Sequence, residues 1–119
     1  MHTVLIADTD VNRVETLALL LRGKYRISKA INERELLQEV QSRDSGINLV
    51  LSGIQSDDST GLRRKVQNVR PDVPFVQILH LPHDVPDNVY DFQHPPARSA
   101  EIYMYYTLEE LEATIDQLL

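Results

Sequence analysis

The side chains best suited to chemistry in this sequence are Asp8 and Asp10, two acids that follow the short apolar run at residues 3–7. Carboxylates at the end of a buried strand can hold a hard cation such as Mg²⁺, which prefers oxygen ligands. The same short side chains can instead cap a helix, because they accept hydrogen bonds from its free backbone N–H groups. The cap is the more common role, so the sequence favours it and leaves a metal site as the weaker alternative.

Two histidines and one serine are the other candidates for chemistry. His80 and His83 have a spacing that could suit a metal, but no third ligand with matching spacing accompanies them, and Pro82 indicates a loop. Solvated loop histidines are therefore the better interpretation. Ser52 could be a hydroxyl phosphorylation site, but we expect its side chain to point away from any pocket beside Gly53. The glycine there permits a tight turn.

The composition excludes several classes of protein. A chain of 119 residues with 42% hydrophobic and 25% charged residues fits one domain with a single good core. The net charge of −6 argues against non-specific binding to nucleic acid or anionic membranes. The absence of cysteine removes disulfides and thiolate chemistry, and it is consistent with a cytoplasmic protein. We see neither an apolar run of membrane-spanning length nor a signal peptide.

Apolar periodicity and turn residues predict strands and helices that alternate along the chain. The predicted strands cover residues 3–7, 24–30, 48–52, 75–79 and 102–106, and the predicted helices cover 11–22, 33–40, 60–69 and the residues after Thr107. Prolines at 82, 86, 95 and 96 leave room for at most a short helix between residues 84 and 92. This alternation calls for a parallel sheet with helices on both faces.

Four stretches, in this order and at these separations, resemble the receiver domain of bacterial two-component response regulators, the chemotaxis-regulator fold. VLIADTDVNR resembles the first strand, the acidic pair and the start of the first helix, and NLVLSGIQSDDSTGL resembles the third strand and its loop. PFVQIL resembles the fourth strand, and TLEELEATIDQLL resembles the last helix. The resemblance implies one receiver-like domain over residues 1–119. Its fold would be a three-layer (βα)5 doubly wound sandwich with a five-stranded parallel sheet in the order 2-1-3-4-5 and a short or irregular fourth helix.

The resembled family uses five groups for its activity. Two acids after the first strand hold Mg²⁺, an Asp after the third strand accepts a phosphoryl group, and a Ser or Thr and a Lys after the last two strands bind the phosphoryl oxygens. These groups neutralise the charge of the transferred phosphoryl oxygens. Aligned in this way, the sequence keeps the first acid as Asp8, and it has Thr9 (beside Asp10) at the second acid, Gly53 at the acceptor, Leu79 at the hydroxyl and Met104 at the lysine.

Three of these groups are absent from the sequence in every nearby alignment register. No Asp or Glu occurs at residues 47–56, no Ser or Thr occurs at residues 74–83, and no lysine follows Lys65. Asp57 and Asp58 lie too far along the loop to substitute. The sequence therefore predicts a degenerate pseudo-receiver that is not an enzyme, needs no cofactor and is not switched by aspartyl phosphorylation.

Aromatic residues give the positive functional signal. Five of the seven fall between positions 90 and 106, namely Tyr90, Phe92, Tyr103, Tyr105 and Tyr106. Tyrosine suits interfaces because it combines a large apolar area with a hydroxyl. In the resembled family the region from the fourth to the fifth helix is the usual output and dimerisation face. We therefore predict a contact surface for a partner protein or a second copy at Tyr90, Phe92, Tyr105 and Tyr106, although these rings could instead pack under the last helix.

Other functional classes stay open to different degrees. A working receiver with a non-standard phosphate or metal site is the nearest alternative. A flavodoxin-like binder of small ligands has the same strand–helix order, but the loop DTDVNR lacks the glycine that a phosphate loop needs. A cysteine phosphatase is excluded because the chain has no cysteine. The favoured function is a phosphorylation-independent regulatory interaction domain, either alone or preceding a C-terminal output domain.

Overall fold

Strands and helices alternate through the parts of the chain that the computed structural model describes, which are residues 1–42, 46–54, 59–79, 99–103 and 106–119. The elements are β1 (Thr3–Ala7), α1 (Val11–Leu21), β2 (Arg26–Ala30), α2 (Glu33–Gln41), β3 (Leu49–Ser52), α3 (Ser59–Val69), β4 (Phe75–Leu79), β5 (Ser99–Tyr103) and α4 (Leu108–Leu118).

The strands form one parallel sheet in the order β2-β1-β3-β4-β5. Parallel neighbours need a crossover connection. The described helices α1, α2 and α3 lie in the connections from β1 to β2, from β2 to β3 and from β3 to β4. The prediction of a doubly wound α/β fold with a parallel sheet is confirmed. β1 and β3 are central neighbours in this sheet, and their register pairs Ala7 with Ser52. Asp8 follows β1 and Gly53 follows β3, so these two residues lie at the same edge of the sheet.

The sheet separates two apolar cores, because successive side chains of a strand point to opposite faces. On one face Val4 and Ile6 of β1 pack with the buried sides of α1 and α4. On the other face Leu5 and Ala7 pack with the buried sides of α2 and α3. Every residue from Val4 to Ala7 is essentially inaccessible to solvent. A strand that is apolar on both faces suits the centre of such a sheet.

Side-chain caps begin three of the four described helices. Asp10 accepts a hydrogen bond of 2.9 Å from the backbone N–H two positions later. Asn32 and Thr107 accept hydrogen bonds of 2.8 and 3.1 Å from the N–H groups three positions later. The contact of Asp10 confirms the cap predicted there, and each of the three caps is worth about 1 kcal/mol of stability.

The described part of the last strand begins three residues before the predicted start. The prediction placed it over residues 102–106, whereas β5 covers Ser99–Tyr103 and pairs Ile102 with Ile78 of β4. The aromatic run suggested the later boundaries, but pairing with β4 and the packing of Ala100 and Ile102 against the core decide the register. Tyr106 consequently lies after the strand, next to the cap of α4.

Several predictions concern residues outside the described parts of the chain. These are the short fourth helix, the loop acids Asp57 and Asp58, the histidines His80 and His83, the lysine-position residue Met104, and three of the four surface aromatics, Tyr90, Phe92 and Tyr105. The single-domain organisation also stays a prediction. Among the helices that the structure describes, none has the length and apolar character needed to cross a membrane.

A polar cluster joins the end of α1 to the end of α4. Asp116 accepts hydrogen bonds from the Lys24 ammonium and, at 2.6 Å, from the Tyr25 hydroxyl. The hydrogen bond from Lys24, followed by that from Tyr25, lowers the pKa of Asp116. Burial of the Tyr25 side chain, together with its bond to Asp116, raises the pKa of Tyr25 to about 12. The cluster therefore favours an ionised Asp116 and a neutral Tyr25 over a wide pH range.

We expect Asp116→Asn to lower the free energy of unfolding near neutral pH. Because the folded protein depresses the Asp116 pKa, the contribution of the carboxylate is complete above the pKa of the unfolded chain and is lost as pH falls through the lower folded value. The difference between wild type and variant should therefore shrink in acid. Urea unfolding across a pH series measures it, with Glu15→Gln, which removes the exposed ion pair to Lys29, as the control. A difference that does not change with pH would contradict this account.

Candidate functional site

The carboxyl ends of β1 and β3 bring Asp8 and Gly53 into contact. The Gly53 N–H donates a 2.8 Å hydrogen bond to the Ala7 carbonyl, which continues the pairing of the two strands by one residue. In open α/β sheets this edge of the central strands is where ligands bind and chemistry occurs. The structure therefore places the first acid and the acceptor position of the resembled family side by side.

Asp8 is held firmly in this position. Its side chain is almost fully buried, and its backbone N–H donates to the Ala30 carbonyl at 3.2 Å. Its Oδ1 atom accepts a 2.9 Å hydrogen bond from the backbone N–H of Asp10. One carboxylate oxygen thus serves the turn that leads into α1, and the other, Oδ2, faces the acceptor position.

The Asp8 carboxylate occupies the space that a side chain at position 53 would need. A Cβ built on Gly53 would lie 2.3 Å from Asp8 Oδ2 and 3.1 Å from Asp8 Cγ. These separations are shorter than van der Waals contact permits. The hydrogen bond to Oδ1 opposes a movement of the carboxylate away from Gly53. Position 53 therefore lacks an acceptor side chain, and the addition of one would require Asp8 to shift.

Arg13 brings a positive charge close to Asp8 and Asp10, which together form what we call the acidic edge of the sheet. Its Nη1 atom lies 3.7 Å from Asp8 Oδ2, and its Nε atom lies 3.6 Å from Asp10 Oδ2. Arg13 sits in the first turn of α1, three residues after Asp10, so helical spacing brings it over both acids. Arg13 was not among the residues predicted to form the site. The available signal was an arginine in i,i+3 spacing from an N-cap aspartate.

The other predicted pocket residues offer no phosphoryl ligands. Leu79 is buried at the end of β4 and has no hydroxyl. Thr9 is exposed. Ser52 is fully buried, and its Oγ accepts a 3.2 Å hydrogen bond from the Ile54 N–H.

A cavity of about 230 Å³ lies next to Asp8, between α1, β4 and the segment before α4. Leu17, Ile78 and Tyr106 form its apolar side, and Asp8 and Arg13 form part of its polar side. Tyr106 is half-buried and packs against the core. Burial and, to a smaller extent, the negative charge of Asp8 raise the Tyr106 pKa. Tyr106 is therefore partly committed to its own domain, with its remaining surface available for other contacts.

The residues of this edge do not fit the Mg²⁺ site of the resembled family. That site needs two acids and the acceptor carboxylate, whereas here one acid is Thr9 and the acceptor is Gly53. The Oδ2 atoms of Asp8 and Asp10 both face the Arg13 guanidinium. Within the described ranges, no three His, Asp or Glu side chains come together in a way that could hold a metal ion.

This chain is similar to known proteins in structure, whereas the sequence comparisons find no match. No family model matches the sequence, and no curated protein matches it. Among solved structures, a CheY-like response regulator receiver domain protein from Methanospirillum hungatei has a TM-score of 0.81 and 20% identity over 98% of this chain and 92% of its own. A receiver domain protein from Clostridium thermocellum has a TM-score of 0.83 and 12% identity over 99% of this chain and 94% of its own.

A third similar structure is a response regulator from Thermotoga maritima in complex with Mg²⁺-BeF. It has a TM-score of 0.74 and 21% identity, and the match covers 100% of both chains. At such identities a structural match shows the fold alone. The chain therefore has the fold of response-regulator receiver domains.

Proposed function

We propose that this chain is a signal-transduction domain that acts through protein contacts and without aspartyl phosphorylation. The observation that carries the proposal is the contact between Asp8 and Gly53, where a Cβ would meet the carboxylate at 2.3 Å. A receiver needs a nucleophilic carboxylate at that position. In this chain the position has no side chain, and the neighbouring acid fills the space.

The rest of the edge supports the proposal because phosphoryl transfer depends on charge neutralisation. Leu79 brings a buried hydrocarbon to the position of the phosphoryl-binding hydroxyl. The sequence has no lysine after Lys65, so no ammonium is available from the last strand. Arg13 is a cation close to the edge, but its guanidinium already faces two carboxylates.

The alternatives are less well supported. A receiver with displaced chemistry would need a different nucleophile, and Ser52 is buried with its oxygen engaged by the Ile54 N–H. A flavodoxin-like binder would place a phosphate after β1, where the Asp8 carboxylate would repel it. The engaged Ser52 therefore disfavours the displaced-nucleophile alternative, and the buried Asp8 disfavours the phosphate-binding one.

For the partner, we propose another protein or a second copy of this chain, bound through the surface that leads into α4. The aromatic residues Tyr90, Phe92, Tyr105 and Tyr106 would form its apolar centre. Large aromatic side chains often carry most of the binding energy of an interface. The half-buried Tyr106 would contribute its exposed part. A cytoplasmic location and a C-terminal output domain belong to the same proposal, while the net charge of −6 disfavours nucleic acid and membranes as partners.

Beryllofluoride with Mg²⁺, which mimics the phosphoryl group, should leave the amide spectrum of this protein unchanged. The structurally similar response regulator from Thermotoga maritima forms such a complex and is the positive control. Gly53→Asp alone should not create a response, because Leu79 still provides no hydroxyl and the new carboxylate would approach Asp8. Saturable shifts at Asp8 and Gly53 of the wild-type protein would refute the proposed function.

We expect Gly53→Ala to lower the free energy of unfolding by about 1–3 kcal/mol, the usual cost of forcing an extra carbon into a packed site. Gly23→Ala is the matched control, because a Cβ there meets nothing within 4 Å and its φ is not positive. In an Asp8→Ala background the cost of Gly53→Ala should fall, because the clashing carboxylate is gone. Equal costs in both backgrounds would show that Asp8 does not occupy this space. Denaturant unfolding of the four proteins measures the coupling.

If the aromatic surface mediates self-association, Tyr90→Ala combined with Tyr106→Ala should shift the protein towards monomer. Each well-buried anchor should contribute about 1–2 kcal/mol to association. Sedimentation velocity over a concentration series gives the measurement, and the melting temperature of the variant shows whether the half-buried Tyr106 was needed for folding. A wild type that is monomeric at all concentrations would leave a different protein as the partner.

A further inference from the structure

We propose that Arg13 is a built-in replacement for the divalent cation of this edge, so that the site excludes Mg²⁺ and Mn²⁺ until the guanidinium is removed. The inference rests on the proposed function in one respect, namely that the acidic edge is inactive in phosphoryl transfer. It adds that Arg13 is the residue that prevents metal binding. It also predicts that Asp8 and Asp10 bind a divalent ion once Arg13 is removed.

The geometry at the two acids supports this assignment. Asp8 Oδ1 accepts the Asp10 N–H, and Asp10 Oδ1 accepts the Asn12 N–H as the helix cap. The remaining oxygen of each carboxylate, Oδ2, lies within 3.7 Å of one guanidinium. Both oxygens that are not used by the turn therefore face the same guanidinium, Asp8 through Nη1 and Asp10 through Nε. Mg²⁺ is often bound by one or two carboxylates with water completing its shell, and we take a hydrated divalent ion at one or both of these oxygens as the occupant when Arg13 is removed.

The charges explain why metal and arginine exclude each other. Two carboxylates and one guanidinium have a net charge of −1. A divalent ion is attracted more strongly to the two carboxylates alone, whose net charge is −2. The ion would also be placed close to a tethered positive charge. Arginine keeps its charge throughout the physiological pH range, so acidity does not release the site. The Arg13 side chain is 40% exposed, and its removal would leave a path from solvent to the acids.

The ion pair between Arg13 and Asp8 also explains how the fold tolerates a buried carboxylate at position 8. A buried carboxylate without a nearby cation is costly. The Arg13 guanidinium compensates Asp8, and this allows Oδ2 to remain over Gly53. Without Arg13 the folded state should become less stable in metal-free buffer. Because a ligand that binds only the folded state stabilises it, divalent cations should then restore part of that stability.

The experiment compares wild type, Arg13→Ala and Arg22→Ala. Arg22 is the control because it is an exposed arginine just past the other end of α1. Mn²⁺ is titrated at fixed ionic strength, and paramagnetic broadening is followed at the amides of Asp10, Asn12 and Gly53. We expect Arg13→Ala to bind Mn²⁺ at these amides at least about tenfold more tightly than wild type or Arg22→Ala. Melting temperatures with MgCl2, against NaCl of equal ionic strength, should rise for Arg13→Ala alone.

Further variants identify the ligands and guard against a folding defect. Arg13→Gln removes the charge with less loss of side-chain volume, and it should behave as Arg13→Ala does. Addition of Asp10→Asn to either variant should abolish the gained broadening, because one of the two converging oxygens is lost. A variant that fails to melt cooperatively without metal and regains a cooperative transition with Mg²⁺ supports the proposal as well.

Two results would overturn the inference. Arg13→Ala and Arg13→Gln that fold but bind Mn²⁺ no better than wild type would show that Arg13 does not exclude the metal. A wild type that itself binds Mn²⁺ at these amides would show that the site is open. Neither result decides the proposed function, which fails only if wild type responds to beryllofluoride. The two proposals can therefore be rejected separately.

Discussion

The site depends on one buried carboxylate at the edge of a parallel sheet. Pairing of Ala7 with Ser52 fixes where Asp8 and Gly53 leave their strands, and the two residues then have to share a small space. Asp8 takes that space because its other oxygen is bound to the Asp10 N–H. With Asp8 in this position, a Cβ on residue 53 would lie 2.3 Å from Asp8 Oδ2, so glycine fits and a larger residue would require Asp8 to shift. The placement of the retained acid and the glycine at the acceptor position are therefore linked in this structure.

A buried charge imposes a second requirement, which α1 satisfies. The helix begins with Asp10 as its cap, so the residue three positions later, Arg13, lies over the start of the helix. Its guanidinium faces both acids. In a site that binds metal, this compensation would come from solution and would depend on ion concentration. Here it is part of the chain, so the electrostatic state of the edge is set when the protein folds. That property suits a domain whose activity does not depend on a phosphorylation signal.

The sequence predicted the sheet and most element positions well, because buried runs such as Val4 to Ala7 and caps such as Asp10 are local signals. It also predicted that three groups needed for phosphoryl transfer are missing, since residue types suffice for that conclusion. It failed where long-range pairing decides the outcome. The start of β5 follows from its register with β4, in which Ser99 pairs with Phe75, and not from the aromatic run. The filling of the Gly53 site and the role of Arg13 depend on side-chain positions that residue types do not fix.

The position of Tyr106 links the acidic edge to the proposed contact surface. Its side chain lines the cavity beside Asp8, packs against the core and directly precedes Thr107, the cap of α4. The far end of the same helix is held by Asp116, which accepts hydrogen bonds from Lys24 and Tyr25. Contacts at both ends therefore fix α4 against the α1 side of the sheet. Because Tyr106 lines the cavity beside Asp8 and lies directly before the cap of this helix, the acidic residues and the proposed contact surface meet at Tyr106.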